Sequence, residues 1–148
     1  DINRGTFYIH YRDVSDLLQH LEDEMAERLI RVCRKYTYTD TAVEAFPYLT
    51  ELYRFAQENA DLCQVLLGPN GDRVYTERIC SILHSYFLRD FVAHFYSGDR
   101  DRLEYFCRFI VSGNLTLTLQ WLSSGAKETP EEMAQLAGGI IMDGVRAL

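Results

Sequence analysis

The sequence predicts an all-α domain, and three observations point that way. Apolar residues recur every three or four positions through each long segment, which puts them on one side of a 3.6-residue helix. Prolines stand only at 47, 69 and 130, and most of the nine glycines fall at apparent joints. No stretch keeps the two-residue alternation of a half-buried strand.

The first long helix is expected to begin at Asp13, whose carboxylate can cap it, with Asp16 three positions on. Leu18, Leu21, Met25, Leu29, Val32 and Tyr36 form its inner stripe, while Gln19, Glu22, Asp23, Glu27, Arg31 and Arg34 fall largely opposite. It should run about six turns and end near Lys35, because Thr37, Thr39, Asp40 and Thr41 are poor helix formers. Pro47 suits the first turn of a second helix, with Leu49, Leu52, Tyr53 and Ala56 facing inward. Asn59-Ala60-Asp61 reads as a joint before a short helix over Leu62–Leu67, and Gly68-Pro69-Asn70-Gly71 is a strong breaker.

Asp72 then opens a helix expected to reach Tyr96, with Cys80, Leu83, His84, Phe87, Phe91 and His94 on its inner side. Ser97-Gly98-Asp99 ends it and caps the next. From Leu103 to Leu122, one stripe carries Leu103, Cys107, Ile110, Asn114, Leu117 and Trp121; the other side carries Phe106, Phe109, Gly113, Thr116 and Gln120. A helix this poor in charge all round is buried on two sides. Thr129-Pro130-Glu131-Glu132 is a capping box that opens the last helix, which runs through Met133, Leu136, Ile140, Ile141, Gly144, Val145 and Leu148. Gly138, Gly139 and Gly144 each weaken a helix by about 1 kcal/mol relative to Ala, a cost that makes sense where another helix approaches closely.

A chain of 148 residues is one domain by size. It has trouble covering both closing helices alone, so the simplest solution is a homodimer in which they join their symmetry mates as a four-helix bundle. The interface residues expected on this reading are Ile110, Asn114, Leu117, Trp121, Met133, Leu136, Ile140, Ile141 and Gly144.

The net charge is −7 and the isoelectric point is near 5.0, so the chain by itself is a poor nucleic-acid binder. No apolar run reaches the roughly 18 residues of a membrane span, and no basic start leads into an apolar stretch. Cys33, Cys63, Cys80 and Cys107 are widely spaced among apolar neighbours, the setting of buried thiols in a reducing, cytoplasmic compartment. His20 and Glu24, four apart on a helix, do not by themselves make a metal site. There is no Gly-rich phosphate loop and no nucleophile with a nearby base motif. No cofactor, metal or catalytic residue is expected, and an enzyme on this scaffold would need acid and base groups converging in a cleft.

The opening residues are the most specific part of the chain. Asn3-Arg4-Gly5-Thr6-Phe7-Tyr8-Ile9-His10-Tyr11, followed by Asp13 and Asp16-Leu17-Leu18, closely resembles the recognition helix of TetR-family repressors and the start of the helix after it. Weaker likeness lies in Glu58-Asn59-Ala60-Asp61-Leu62, and in Phe109 through Trp121-Leu122 with Thr129-Pro130-Glu131-Glu132. The resemblance implies a TetR-repressor-like helical bundle. Residues 1–12 would end a helix-turn-helix DNA-binding domain, and residues 13–148 would form the C-terminal effector-binding and dimerisation domain. Arg4, Gly5 and Thr6 would sit near bases, with Tyr8 and His10 on the phosphate backbone. Val14 stands where the family often has Lys, which removes one expected phosphate contact.

The implied function is a DNA-binding regulator, by default a repressor, released by a small-molecule effector and acting on operator DNA. The implied pocket lies among the middle helices. Tyr53, Phe55, His84, Phe87, Phe91, Tyr105, Phe106 and Phe109 are the candidates to line it, although an aromatic stripe at helical spacing serves equally as core. A TetR-like regulator with a filled pocket that answers to a protein partner is the alternative.

Overall fold

The computed structural model describes residues 11–35, 46–87, 96 and 98–148. Among them every regular element is a helix: α1 (Val14–Lys35), α2 (Phe46–Glu58), α3 (Ala60–Leu67), α4 (Arg73–Phe87), α5 (Arg100–Ser123) and α6 (Pro130–Ala147). The expected DNA-reading residues Arg4, Gly5, Thr6, Tyr8 and His10 lie outside the described residues, as do Tyr36, Phe91 and His94.

The helix starts follow the local chemistry. Asp13 caps α1: its Oδ1 accepts from the Asp16 amide at 2.9 Å, and Asp16 reaches back to the Arg12 amide at 3.0 Å. Asp72 Oδ1 accepts from the Val74 amide at 2.8 Å at the head of α4, and Asp99 caps α5 through the amides of Asp101 and Arg102. Thr129 and Glu132 form the reciprocal capping box of α6. Helix α5 ends in a Schellman turn, with the Gly125 amide on the Leu122 carbonyl and the Ala126 amide on the Trp121 carbonyl. Gly125 sits there at φ 94°, a conformation that costs glycine nothing. The Trp121 indole closes the turn by donating to the Glu128 carbonyl at 3.1 Å.

Helices α2 and α6 make the most extensive pairing. Helix α1 lies on α2 and α4, and α5 packs on α3 and α4. One core runs through the bundle, with Met25, Ala26, Leu29 and Cys33 from α1 meeting Tyr53, Leu66, Ile79, Cys107 and Ile141 from the others. The amino-terminal half of α1 contributes no buried residue before Met25. Val14 is exposed, and Leu18, expected on the inner stripe, is also exposed. Burial on α4 centres on Tyr75, Ile79 and Phe87, with Cys80 and His84 on its flank rather than its inner side. Helices α1, α3 and α5 all pack on α4.

The residues expected at the interface lie as follows in the single chain. Ile110, Trp121, Met133 and Ile141 are buried in the chain's own core. Asn114 is hydrogen-bonded inside the bundle, and Leu117 is half-buried against the core. Gly144 makes room for an intramolecular neighbour: a Cβ there would come within 2.5 Å of the Phe106 ring. Of the nine, Leu136 and Ile140 remain outward, each about half exposed. The outward face of α5 is the opposite stripe, Tyr105, Phe109, Ser112, Thr116 and Gln120. Both stripes of α5 are apolar enough to be buried, so it was covering helices, not periodicity, that decided which one turned in.

Candidate functional site

All six helices line one apolar, partly open cavity of about 110 Å³. Met25 and Leu29 of α1 form one wall. Helix α2 supplies Tyr48, Leu49, Leu52, Tyr53, Phe55 and Ala56, and α3 supplies Cys63 and Leu67. Tyr75, Ile79, Leu83 and Phe87 come from α4, Ile110, Val111, Asn114, Leu115, Thr118 and Leu119 from α5, and Ile141 from α6. Among the described residues no charged side chain lines it.

Its polar groups are few and differ in how they are satisfied. The Tyr53 hydroxyl donates to Asn114 Oδ1 at 2.8 Å, and the Tyr53 ring meets Trp121 edge-on at 5.6 Å. Burial pushes the Tyr53 phenol up to about 12, with a hydrogen bond to Thr118 opposing the shift. The Tyr48 hydroxyl lies 3.4 Å from Cys33 Sγ. Tyr75 is the exception. Its side chain is 2% exposed, and its hydroxyl is buried with no hydrogen-bond partner. Burial raises its pKa, and the neighbouring Cys63 and Glu22 add to the shift.

Of the expected lining residues, Tyr53, Phe55 and Phe87 stand on the wall. Tyr105 and Phe109 do not. They are 73% and 71% exposed on the outer face of α5, because the stripe facing the cavity passes through Ile110, Asn114 and Thr118 instead. Phe106 is half-buried against Gly144. His84 lies in a separate polar recess with Glu77, Cys80, Ser81, Arg108 and Ser112, divided from the cavity by Val111. There Nε2 of His84 is 3.3 Å from Glu104 Oε2, and Arg108 Nε donates to Glu104 Oε1 at 2.9 Å.

Tyr75 and Thr118 were missed as site residues, and Asn114 was assigned to the interface. A signal for Asn114 was present: it is the one amide in an otherwise apolar stripe, and a buried amide needs partners.

Helix α1 is held to α4 at two levels. Arg78 Nη1 pairs with Asp23 Oδ1 at 2.5 Å, and Arg34 Nε donates to the Tyr86 hydroxyl at 3.1 Å. Beside the first tie, burial raises the pKa of Glu22, reinforced by the charges of Asp72 and Asp23 and opposed by Arg78. Burial disfavours the thiolate of Cys63, Cys80 and Cys107. Burial pushes Cys63 to about 11 and Cys107 to about 11, and both are free. Among the described residues no three His, Cys, Asp or Glu side chains gather as a metal site.

The TetR C-terminal family model, described as transcriptional regulator C-terminal region, matches residues 44–143. The chain belongs to the TetR family of transcriptional regulators. Comparison with curated proteins and with solved structures gives no match. The matched TetR C-terminal region takes in all of α2 to α5 and most of α6, so it covers five of the six helices that line the cavity. Among the described residues, no helix of this TetR-family chain is long and apolar enough to cross a membrane.

Proposed function

We propose that this TetR-family regulator is a homodimeric repressor released by a small molecule in the internal cavity. In this reading residues 1–12 end the DNA-reading head, with Arg4, Gly5, Thr6, Tyr8 and His10 facing operator DNA, and residues 13–148 form the effector-binding and dimerising body. The observation that carries the reading is the position of α1: Met25 and Leu29 wall the cavity, while the half of the helix before them contributes nothing to the core. Whatever fills the cavity presses on the helix that leads to the head.

Dimerisation is supported by the outward faces of the closing helices. Tyr105 and Phe109 on α5, with Leu136 and Ile140 on α6, leave four large apolar side chains half or more exposed. The α5 face from Phe109 to Gln120 carries no acidic residue. A second copy of the chain is the occupant that these faces fit, since two-fold pairing brings the same apolar faces together. Two heads on one duplex must match successive major grooves about 34–36 Å apart. A shift of a few ångströms in α1 therefore costs DNA affinity, and effector and DNA weaken each other reciprocally.

The test is operator binding by the protein with its complete head, using a duplex selected from genomic fragments. A compound shown to occupy the cavity should weaken binding about 5–150-fold, the usual range of such coupling. Equal affinity with the cavity empty and saturated would overturn the proposal.

A further inference from the structure

We infer that Arg78 is a positioning residue: its ion pair with Asp23 clasps α1 onto α4, and the amino-terminal half of α1 moves away from α4 when that clasp is lost. This names the device that sets α1, and for its consequence at the operator it rests on the regulator reading above. Three observations lead to it.

The first is where α1 is held. Arg34 Nε donates to the Tyr86 hydroxyl at 3.1 Å, and Arg78 Nη1 meets Asp23 Oδ1 at 2.5 Å. Asp23 stands eleven residues before Arg34, and Val14 stands twenty before it, which is about 16 and 30 Å along a helix. With Arg34 and Tyr86 as the pivot, a displacement at Asp23 is nearly doubled at Val14. The second is the freedom of that lever. No residue of α1 before Met25 is buried, so core packing does not fix its amino-terminal half.

The third is the balance of charge. Among the described residues whose charges act on Glu22, Asp23 and Asp72 are acidic and Arg78 is the one base. Asp72 stands at the head of α4, so three carboxylates from two helices share a single guanidinium. With Arg78 in place the junction is drawn together. Without it, Glu22 and Asp23 of α1 repel Asp72 of α4. Arg78 also adjoins Ile79, which lines the cavity, so α4 carries a movement of the cavity wall to the clasp.

The test uses the ligand-free protein with its complete head, and nitroxides at Ser15→Cys on α1 and Ser85→Cys on α4, both exposed, in a Cys80→Ser background. Dilution with unlabelled protein keeps each measured pair within one chain. Arg78→Gln should lengthen the distance by a few ångströms and weaken operator binding about two- to fivefold, the worth of a half-exposed ion pair. Arg78→Lys keeps the charge and should restore both. Asp72→Asn keeps a good helix cap while removing one repelling charge, and added to Arg78→Gln it should recover part of the lengthening.

An unchanged distance in Arg78→Gln, the same lengthening in Arg78→Lys, or no recovery with Asp72→Asn would each overturn the inference. The regulator reading fails separately. If the distances follow this pattern and operator affinity stays the same in every variant, the clasp stands and the link from α1 to DNA falls.

Discussion

Two tyrosines on the same wall show how far one atom's surroundings decide its worth. The Tyr53 hydroxyl is hydrogen-bonded to Asn114, so Tyr53→Phe leaves a buried amide oxygen short of its donor and should destabilise the protein by about 1–2 kcal/mol. The Tyr75 hydroxyl has no partner. Tyr75→Phe removes an unsatisfied group and should stabilise the ligand-free protein by about 1 kcal/mol, against the usual direction for a core substitution. Urea midpoints at unchanged slope measure both, and a destabilised Tyr75→Phe would show that its hydroxyl is satisfied after all. Gly144 poses a similar contest. Alanine gains about 1 kcal/mol of helix propensity there, but its Cβ meets the Phe106 ring at 2.5 Å, and overpacking costs about 1–3 kcal/mol. Gly144→Ala should therefore destabilise the native chain and stabilise one that already carries Phe106→Ala, as read from a double-mutant cycle.

At the scale of the helix, α1 and its ties to α4 carry the pH dependence. The folded pKa of Glu22 is raised, so between the ordinary carboxylate value and the folded value the native state holds more protons than the unfolded one. Its contribution is thus most favourable at low pH and is lost as pH rises through that window. Glu22→Gln should raise the melting temperature at pH 7 and give a smaller gain at pH 4; a larger gain at pH 4 would contradict the assigned sign. The helix starts were open to sequence reading because a cap is a local event: Asp13, Asp99 and Thr129 need only the amides two or three residues on. Facing was not local. Helix α5 presents an apolar stripe through Cys107, Ile110 and Trp121 and another through Tyr105 and Phe109, and periodicity scores both alike. Ile110 and Trp121 went inward because α3, α4 and α6 cover that side, and Tyr105 and Phe109 were left outside. The cavity's polar wall escaped for the same reason, since Tyr75 is recognisable as a lining residue only once α1, α3 and α5 are in place around it.

For the whole molecule, the apolar faces left on α5 and α6 argue for a two-fold assembly. Phe109→Lys with Ile140→Lys places charges at two exposed positions and should convert the proposed dimer to a monomer in sedimentation while the far-ultraviolet helical signal is kept. A dimer that survives both changes would place the contact elsewhere. The central claim is mechanical, that filling the cavity moves α1 relative to its copy in the partner. The most direct test is a distance between the two α1 helices, from pulsed electron resonance on nitroxides attached at an exposed Ser15→Cys. Cys33, Cys63 and Cys107 are buried and should stay unlabelled, and Cys80→Ser removes the half-buried thiol. One well-defined distance is expected, shifting by a few ångströms when a cavity ligand saturates the protein. An identical distance distribution with and without that ligand, or no measurable distance at all, would contradict it.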